Sequence, residues 1–228
     1  MQEIWVCHLG VVEYGEALSL QERVREARQA DELPDVLLTL EHPPVYTRGR
    51  RSGPMGELPM GAAHGIDVVE TDRGGLVTYH GPGQLVGYPI VRVDDVVAYV
   101  RTLENALVCA LRDEGVVDAR SRPREGHRYT GVWVEDRKIA SIGVHLSRGV
   151  STHGFAVNVE NDLEPFSWIV PCGLDGVQMT SLLRETGQTP SVMKCFRRRA
   201  AFEVARALGR RQRLVSLSRL ETRVPAAA

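Results

Sequence analysis

Lysine is nearly absent from this chain of 228 residues. Of its 28 basic residues, only Lys138 and Lys194 are lysines; all the others are arginines. Surface cations are therefore written as arginine. A lysine that persists stands out, because it alone of the two can readily shift its pKa and shed its proton. Cysteine is also sparse. Cys7, Cys109, Cys172 and Cys195 lie far apart with no C-x-x-C pair, which argues against a disulfide framework and a zinc site. Excess charge is missing too: the formal net charge of −1 excludes a nucleic-acid footprint and charge-driven membrane binding. No run approaches the roughly 20 apolar residues of a membrane span. Met1 to Val6 lacks the basic and apolar regions of a signal peptide, so a cytoplasmic protein is expected. Thiols stay reduced and reactive in that compartment. Neither a P-loop nor a G-x-G-x-x-G before a helix is present.

What remains is an ordinary globular composition, 43% hydrophobic and 25% charged, long enough to bury a core without metal or disulfide staples. Glu3 to Leu9 reads as a strand. Tyr14 to Ala30 reads as a helix, with Tyr14, Ala17, Leu20, Val24 and Ala27 on one face. Val36 to Leu40 is the continuous apolar run of a strand covered on both sides. From His42 to His64 prolines and glycines predict a long loop. Strands are predicted at 66–70, 76–80, 85–91, 116–117, 131–134, 138–145 and 152–159. One helix starts from a cap at Asp94 or Asp95 and ends near Gly115; another runs from Ser191 to Leu208, with Gly209 as its stop. This pattern predicts an α/β (α+β) fold, a single domain with a mixed sheet flanked by helices. The domain spans 1–228, with a core of about 1–210 and a tail of about 211–228 that frays at its end.

Three stretches could carry chemistry. Arg73 to Gln84 holds four glycines around His80. Such backbone can approach a ligand closely, or simply form a tight hairpin, and His80 is equally readable as a structural histidine. Gly131 to His145 reads as a hairpin turning at Glu135-Asp136-Arg137. Lys138 then stands before Ala140, Ser141 and Gly143, either as a cation that guards a sheet edge or beside space left by small residues. Ser151 to Val159 again alternates small and apolar residues, so the two strands together could line an apolar slot. Finally, Cys172 sits between Pro171 and Gly173. A rigid turn can present a thiol, yet burial is the commoner fate of a free cysteine. The residues alone leave both readings open.

Taken together and in order, RGGLVTYHGPGQLVGYP, GVWV...KIASIGVH, THGFAVNV and VPCG...MTSL closely resemble the lipoyl(octanoyl) transferase family. Its members transfer an octanoyl group from acyl carrier protein to a lysine of a lipoyl domain. Residues 41–47 fit as well. The resemblance implies a fold similar to the biotin and lipoate protein ligases and a catalytic dyad of Cys172 and Lys138. It implies acyl contacts from Arg73, Gly74, Gly75, Leu76, Val77, Thr78, Tyr79 and His80, from Ser141, Ile142 and Gly143, and from Gly154, Phe155 and Ala156. The implied donor is octanoyl-acyl carrier protein. The implied acceptors are lipoyl domains of 2-oxoacid dehydrogenase complexes and the glycine cleavage H protein. No metal or other cofactor is implied, because the acyl group arrives already activated as a thioester on phosphopantetheine.

A free thiol is only a few per cent ionised at neutral pH. The dyad therefore needs Lys138 either as an ammonium that stabilises the thiolate or as a base that takes its proton. Backbone N–H groups of the glycine-rich stretches are candidate oxyanion donors. Two rival functions share these residues. An ATP-dependent lipoate or biotin ligase of the same fold would use the arginine-glycine stretch Thr47 to Gly53 and would not need Cys172. A non-catalytic acyl-carrier-binding protein would form no covalent adduct. A papain-like hydrolase is excluded, since no histidine follows Cys172. Cys7, Cys109 and Cys195 read as packing residues, and Arg197 to Arg199 as a solvated helix face.

Overall fold

Apolar residues alternate along several strands so that each strand serves two cores. In β1 (Glu3–Val11), Ile4 and Val6 join one core while Trp5, Cys7 and Leu9 join the other. The same division runs through β2 (Asp35–Glu41), where Leu37 opposes Val36, Leu38 and Leu40. It recurs in β6 (Gln84–Ile90), where Leu85 opposes Val86, Tyr88 and Ile90. A period of two with both faces apolar demands a covering layer on each side. The computed structural model, which describes residues 2–52, 64–169, 176–187 and 192–224, supplies both layers.

On one face lies α1 (Tyr14–Gln29), burying the expected stripe of Tyr14, Ala17, Leu20, Val24 and Ala27. On the other face lie α2 (Val96–Asp113), the short α3 (Leu182–Thr186), which buries Leu182, and α4 (Val192–Ala207). Asp95 caps α2 by accepting from the N–H groups of Val97 and Ala98 at 2.8 and 3.1 Å, which settles the choice between Asp94 and Asp95. Between these layers runs an eight-stranded mixed sheet. Beyond β1, β2 and β6 it contains β7 (Ala119–Arg120), β8 (Gly131–Val134), β9 (Arg137–Ser147), β10 (Val150–Asn158) and β11 (Arg211–Leu214). Their order is β11-β1-β2-β6-β10-β9-β8-β7. A second sheet joins β3 (Val45–Arg48), β4 (Asp67–Glu70) and β5 (Val77–His80) in the order β4-β3-β5. Among the described residues no helix is long and apolar enough to cross a membrane.

Three expectations change. The predicted loop 42–64 contains β3, whose alternation was hidden behind Pro43-Pro44; residues 53–63 lie outside the described residues. The strand predicted at Val116-Val117 is instead the turn closing α2, with Val116 N–H donating to the Leu111 carbonyl and Val117 exposed. The short strand follows at Ala119. The predicted tail from 211 adds β11 to the sheet beside β1 and then α5 (Leu217–Glu221), which buries Leu220 in the α1-side core. Arg-Gln-Arg-Leu carries no apolar alternation; backbone hydrogen bonds such as Arg211 N–H to the Gln2 carbonyl hold it. Residues 225–228 are outside the described residues. Cys195, read as a packing residue, is exposed on α4, whereas Cys7 is buried. Burial lifts the Cys7 thiol to about 11. Arg197 and Arg199 are engaged within the fold, with the Leu9 carbonyl and with Asp113 and Glu114.

A buried carboxylate ties the end of α1 to the segment leading into β11. Asp35, at the start of β2, accepts from Arg28 at 2.9 Å and from Arg210 at 2.8 Å while itself 3% exposed. Removing a buried charge that two partners were built around strands those partners. Asp35→Ala is expected to lower the unfolding free energy by about 3 kcal/mol, read as a shift in the denaturant midpoint.

Candidate active site

Lys138 is decided by one extra residue. Across β8 and β9, Val132 pairs with Ala140 but Trp133 pairs with Lys138, so Ile139 is a bulge. Strict alternation would place Lys138 and Ser141 on opposite faces. Instead Ile139 and Ala140 both enter the α2-side core together with Val132 and Val134. Lys138 thereby turns to the face it shares with Ser141 and Gly143. It is 1% exposed, in the interior of the sheet and not at an edge. Its Nζ lies 5.3 Å from the centre of the Trp133 ring. Its methylene stem packs over Gly131, where an added Cβ would stand 2.9 Å from Lys138 Cε.

On its other side Lys138 lies beyond the last pair with β10, Val157 with Ala140, so that edge of its backbone is open. Its N–H donates to the Gln178 carbonyl and its carbonyl accepts from Thr180 N–H, both at 2.9 Å, forming a parallel bridge at Met179. Cys172 lies outside the described residues, which end at Ile169 and resume at Gly176. Ile169, Val177 and Met179, on either side of that gap, pack in one cluster with Tyr46, Tyr79 and Phe166.

The expected acyl residues converge on a slot of about 50 Å³, to which Ser141 and Gly143 belong on the face they share with Lys138. Arg73 through Thr78, His80, Ser141, Ile142, Gly143, Gly154, Phe155 and Ala156 all line it. Tyr79 does not. Alternation along β5 sends Thr78 and His80 to the slot and Tyr79 the other way, against Tyr46 and Phe166. The roof is the Arg73-Gly74-Gly75 turn. Arg73 anchors it by donating to the Thr47 carbonyl at 2.6 Å and to Thr47 Oγ1 at 2.8 Å. Gly74 N–H donates to the Val144 carbonyl at 3.0 Å, across the outer edge of β9. This close approach needs Gly143: a Cβ there would lie 2.6 Å from the Gly74 carbonyl oxygen.

Four further residues line the slot that sequence reasoning had not assigned to it: Tyr14, Val86, Tyr88 and His153. Tyr14 and Val86 carried only a core signal. His153 had one usable signal, a bulky polar residue amid small ones at Thr152-His153-Gly154. It adopts φ +56°, is 2% exposed, and donates from Nε2 to Asp72 Oδ1 at 2.6 Å. That bond holds the Asp72 carboxyl at about 2, against the opposing effect of burial.

Two imidazoles at this end, His80 and His42, are neutral. Gln84 spends its amide hydrogens on the Tyr79 carbonyl and Asn158 Oδ1, so its oxygen accepts from His80 Nδ1–H at 2.7 Å. This assigns the tautomer from the network and leaves His80 Nε2 without a proton. Asn158 in turn donates to the Thr180 carbonyl at 3.0 Å, so a buried polar chain joins His80 to the segment bonded to Lys138. His42 donates from Nδ1 to the Val12 carbonyl and accepts from Tyr88 Oη–H, each at 2.7 Å. Burial pushes His42 down to about 4; burial, then the neighbouring His42, pushes His80 down to about 3. Both act as fixed neutral dipoles at neutral pH, and His80 is a structural member of the slot wall. Of the candidate oxyanion donors, the N–H groups of Gly74, Gly83 and Gly131 are already committed, to Val144, Glu41 and Glu104.

The chain is similar to known proteins in both sequence and fold. A family described as the lipoyl protein ligase A/B catalytic domain matches residues 13–201. An octanoyltransferase of Mycobacterium leprae is 48% identical over 196 residues, covering 82% of this chain and 80% of its own. The chain belongs to the octanoyltransferase family. Its fold extends further than its sequence. A lipoate-protein ligase A solved with ATP superposes with a TM-score of 0.77 at 20% identity, covering 96% of this chain and 91% of the other. A biotin protein ligase from Aquifex aeolicus reaches 0.53 at 13% identity, over 92% and 70% of the two chains. These two likenesses bear out the mixed sheet with flanking helices as a ligase-like fold. Membership of an octanoyltransferase family makes the chain an acyltransferase with an acyl donor.

Two outcomes follow from this geometry. Gly143→Ala is expected to lift the Arg73–Gly75 turn off β9, read as faster hydrogen exchange of the Gly74 amide; unchanged protection would contradict the contact. An unfolded imidazole titrates near 6.5, whereas native His42 and His80 resist protonation until about 4 and 3. The unfolded chain therefore binds more protons between these limits, and stability falls as pH drops from 6.5 towards 4. The slope is about 1.4 kcal/mol per pH unit for each ring, measured by denaturant titration across that range.

Proposed function

We propose that this octanoyltransferase carries the acyl group on Cys172, taking it from octanoyl-acyl carrier protein and delivering it to a lysine ε-amine of a lipoyl domain. Such acceptors include those of 2-oxoacid dehydrogenase complexes and the glycine cleavage H protein. The observation that carries this reading is the bridge between Lys138 and residues 178–180. The chain emerging from the Pro-Cys-Gly stretch is bonded within a few residues to the one buried lysine. The whole span 1–228 is read as a single catalytic domain, because the eight-stranded sheet takes strands from near both ends. We place the reaction in the cytoplasm, where the thiol stays reduced.

In the first half-reaction the Cys172 thiolate attacks the thioester carbonyl, and the carrier thiolate leaves with a proton. The hydrocarbon tail lies in the slot beneath the Arg73–Gly75 roof, where burial of each methylene favours binding by about 0.8 kcal/mol. In the second, the acceptor amine attacks the Cys172 thioester, an amide forms, and the proton lost by the amine passes to Lys138 directly or through water. Packing against Gly131 and Trp133 holds the Lys138 side chain in place. No ATP enters either step. An ATP-dependent ligase of the same fold would instead show transfer that survives removal of Cys172 and requires nucleotide.

Intact-protein mass spectrometry after incubation with octanoyl-carrier tests the intermediate. Wild type is expected to gain one octanoyl group, Cys172→Ala none, with transfer to a lipoyl domain down by about 10³-fold or more. Lys138→Arg keeps the charge but cannot release a proton and is expected to fail as well; wild-type rates from it would remove the proton-acceptor role.

A further inference from the structure

A larger cavity of about 480 Å³ adjoins the slot and shares with it the wall formed by Gly74 to Leu76 and Ile142-Gly143. Its volume falls within the range of small-ligand sites. At its far end it reaches Thr130, the neighbour of Gly131, against which Lys138 packs. One side is apolar, with Val97 and Val100 of α2. The charged lining is all basic, Arg51, Arg101 and Arg128, with no carboxylate among the described lining residues. Arg101 is paired with Glu104 at 2.5 Å. Arg51 and Arg128 are exposed and form no ion pair among the described residues. Two exposed guanidinium groups that line one cavity, with no ion-pair partner among the described residues, mark a site for an anion.

We propose that this cavity receives the phosphopantetheine arm of the acyl donor, with Arg51 and Arg128 clasping its phosphate. This rests on the octanoyl-transfer reading above and deepens it. The arm is a flexible, weakly polar chain with one anionic group, which matches a half-apolar cavity with a basic rim. Arginine suits the role because its planar fork pairs with two phosphate oxygens at once. The shared wall lets the acyl tail enter the slot while the rest of the arm stays in the larger cavity.

The test is competition against transfer from octanoyl-carrier, using free 4′-phosphopantetheine and free pantetheine as inhibitors of wild type and of an Arg51→Gln/Arg128→Gln double variant. Both side chains are exposed, so the fold should tolerate their replacement, and unchanged thermal unfolding checks this. Wild type is expected to bind the phosphorylated inhibitor about tenfold more tightly, equivalent to about 1.4 kcal/mol. In the double variant that preference should shrink to about twofold, and the KM for octanoyl-carrier should rise. Without any variant, the wild-type preference should weaken as salt is raised, because an exposed charge contact is screened. A preference that is absent from wild type, or that survives in the variant, overturns the assignment. So does a raised KM for the carrier with an unaltered inhibitor preference, which would mean that the arginines meet the carrier protein's surface. If wild type transfers nothing from octanoyl-carrier before any inhibitor is added, the transfer reading itself has failed, and that is seen separately.

Discussion

The site depends on a single-residue bulge in β9. With Ile139 inserted opposite the Val132–Trp133 step, Lys138 changes face. Its other edge, beyond the last pair with β10, is paired with Gln178 and Thr180 of the segment that follows residues 170–175. One extra residue sets the facing of Lys138. Without it Lys138 would point into the α2-side core, where a lone ammonium has no compensation.

Around this point several polar groups of the slot wall and its backing are bonded away from the slot. His80, Gln84, Asn158 and the Thr180 carbonyl form a continuous buried chain, and Arg73 is spent on Thr47 and Gly74. A slot meant for hydrocarbon can therefore contain histidine, glutamine and arginine without offering a free charge to its occupant. Neutral imidazoles keep this true down to mildly acid pH. The cationic character of the region lies instead in the adjoining cavity, so apolar and anionic recognition are divided between two neighbouring spaces.

Much of the architecture was legible. The apolar stripe of α1, the cap of α2 and the hairpin turning at Glu135-Asp136 follow from period and turn chemistry. Glycines 74 and 75 were readable as backbone able to approach closely, and Gly143 and Gly154 as small residues beside a slot; the structure adds that Gly143 and Gly154 themselves admit neighbouring backbone. Tyr79 shows the limit of reading a motif as a block: it stands within the run that lines the slot, yet a two-residue period turns it towards Tyr46 and Phe166. The strand β11 was illegible because an arginine-rich edge strand is held by its backbone, which leaves no mark in side-chain pattern.

By itself the sequence determined the inventory: one unusual lysine, one cysteine in a proline-glycine turn, small residues where a chain-like substrate must pass, and four motifs in an order that names a family. Tertiary structure alone decided which of these meet. The pairing of Lys138 with Gln178 and Thr180 spans about forty residues of chain, and the roof joins Gly74 to Val144 over a longer distance still. Local propensity acts over a few residues, whereas contacts of this kind are selected only when the whole sheet closes. The facing of Lys138 was therefore invisible to alternation, and it is the bulged sheet that turns a rare lysine into a member of the site.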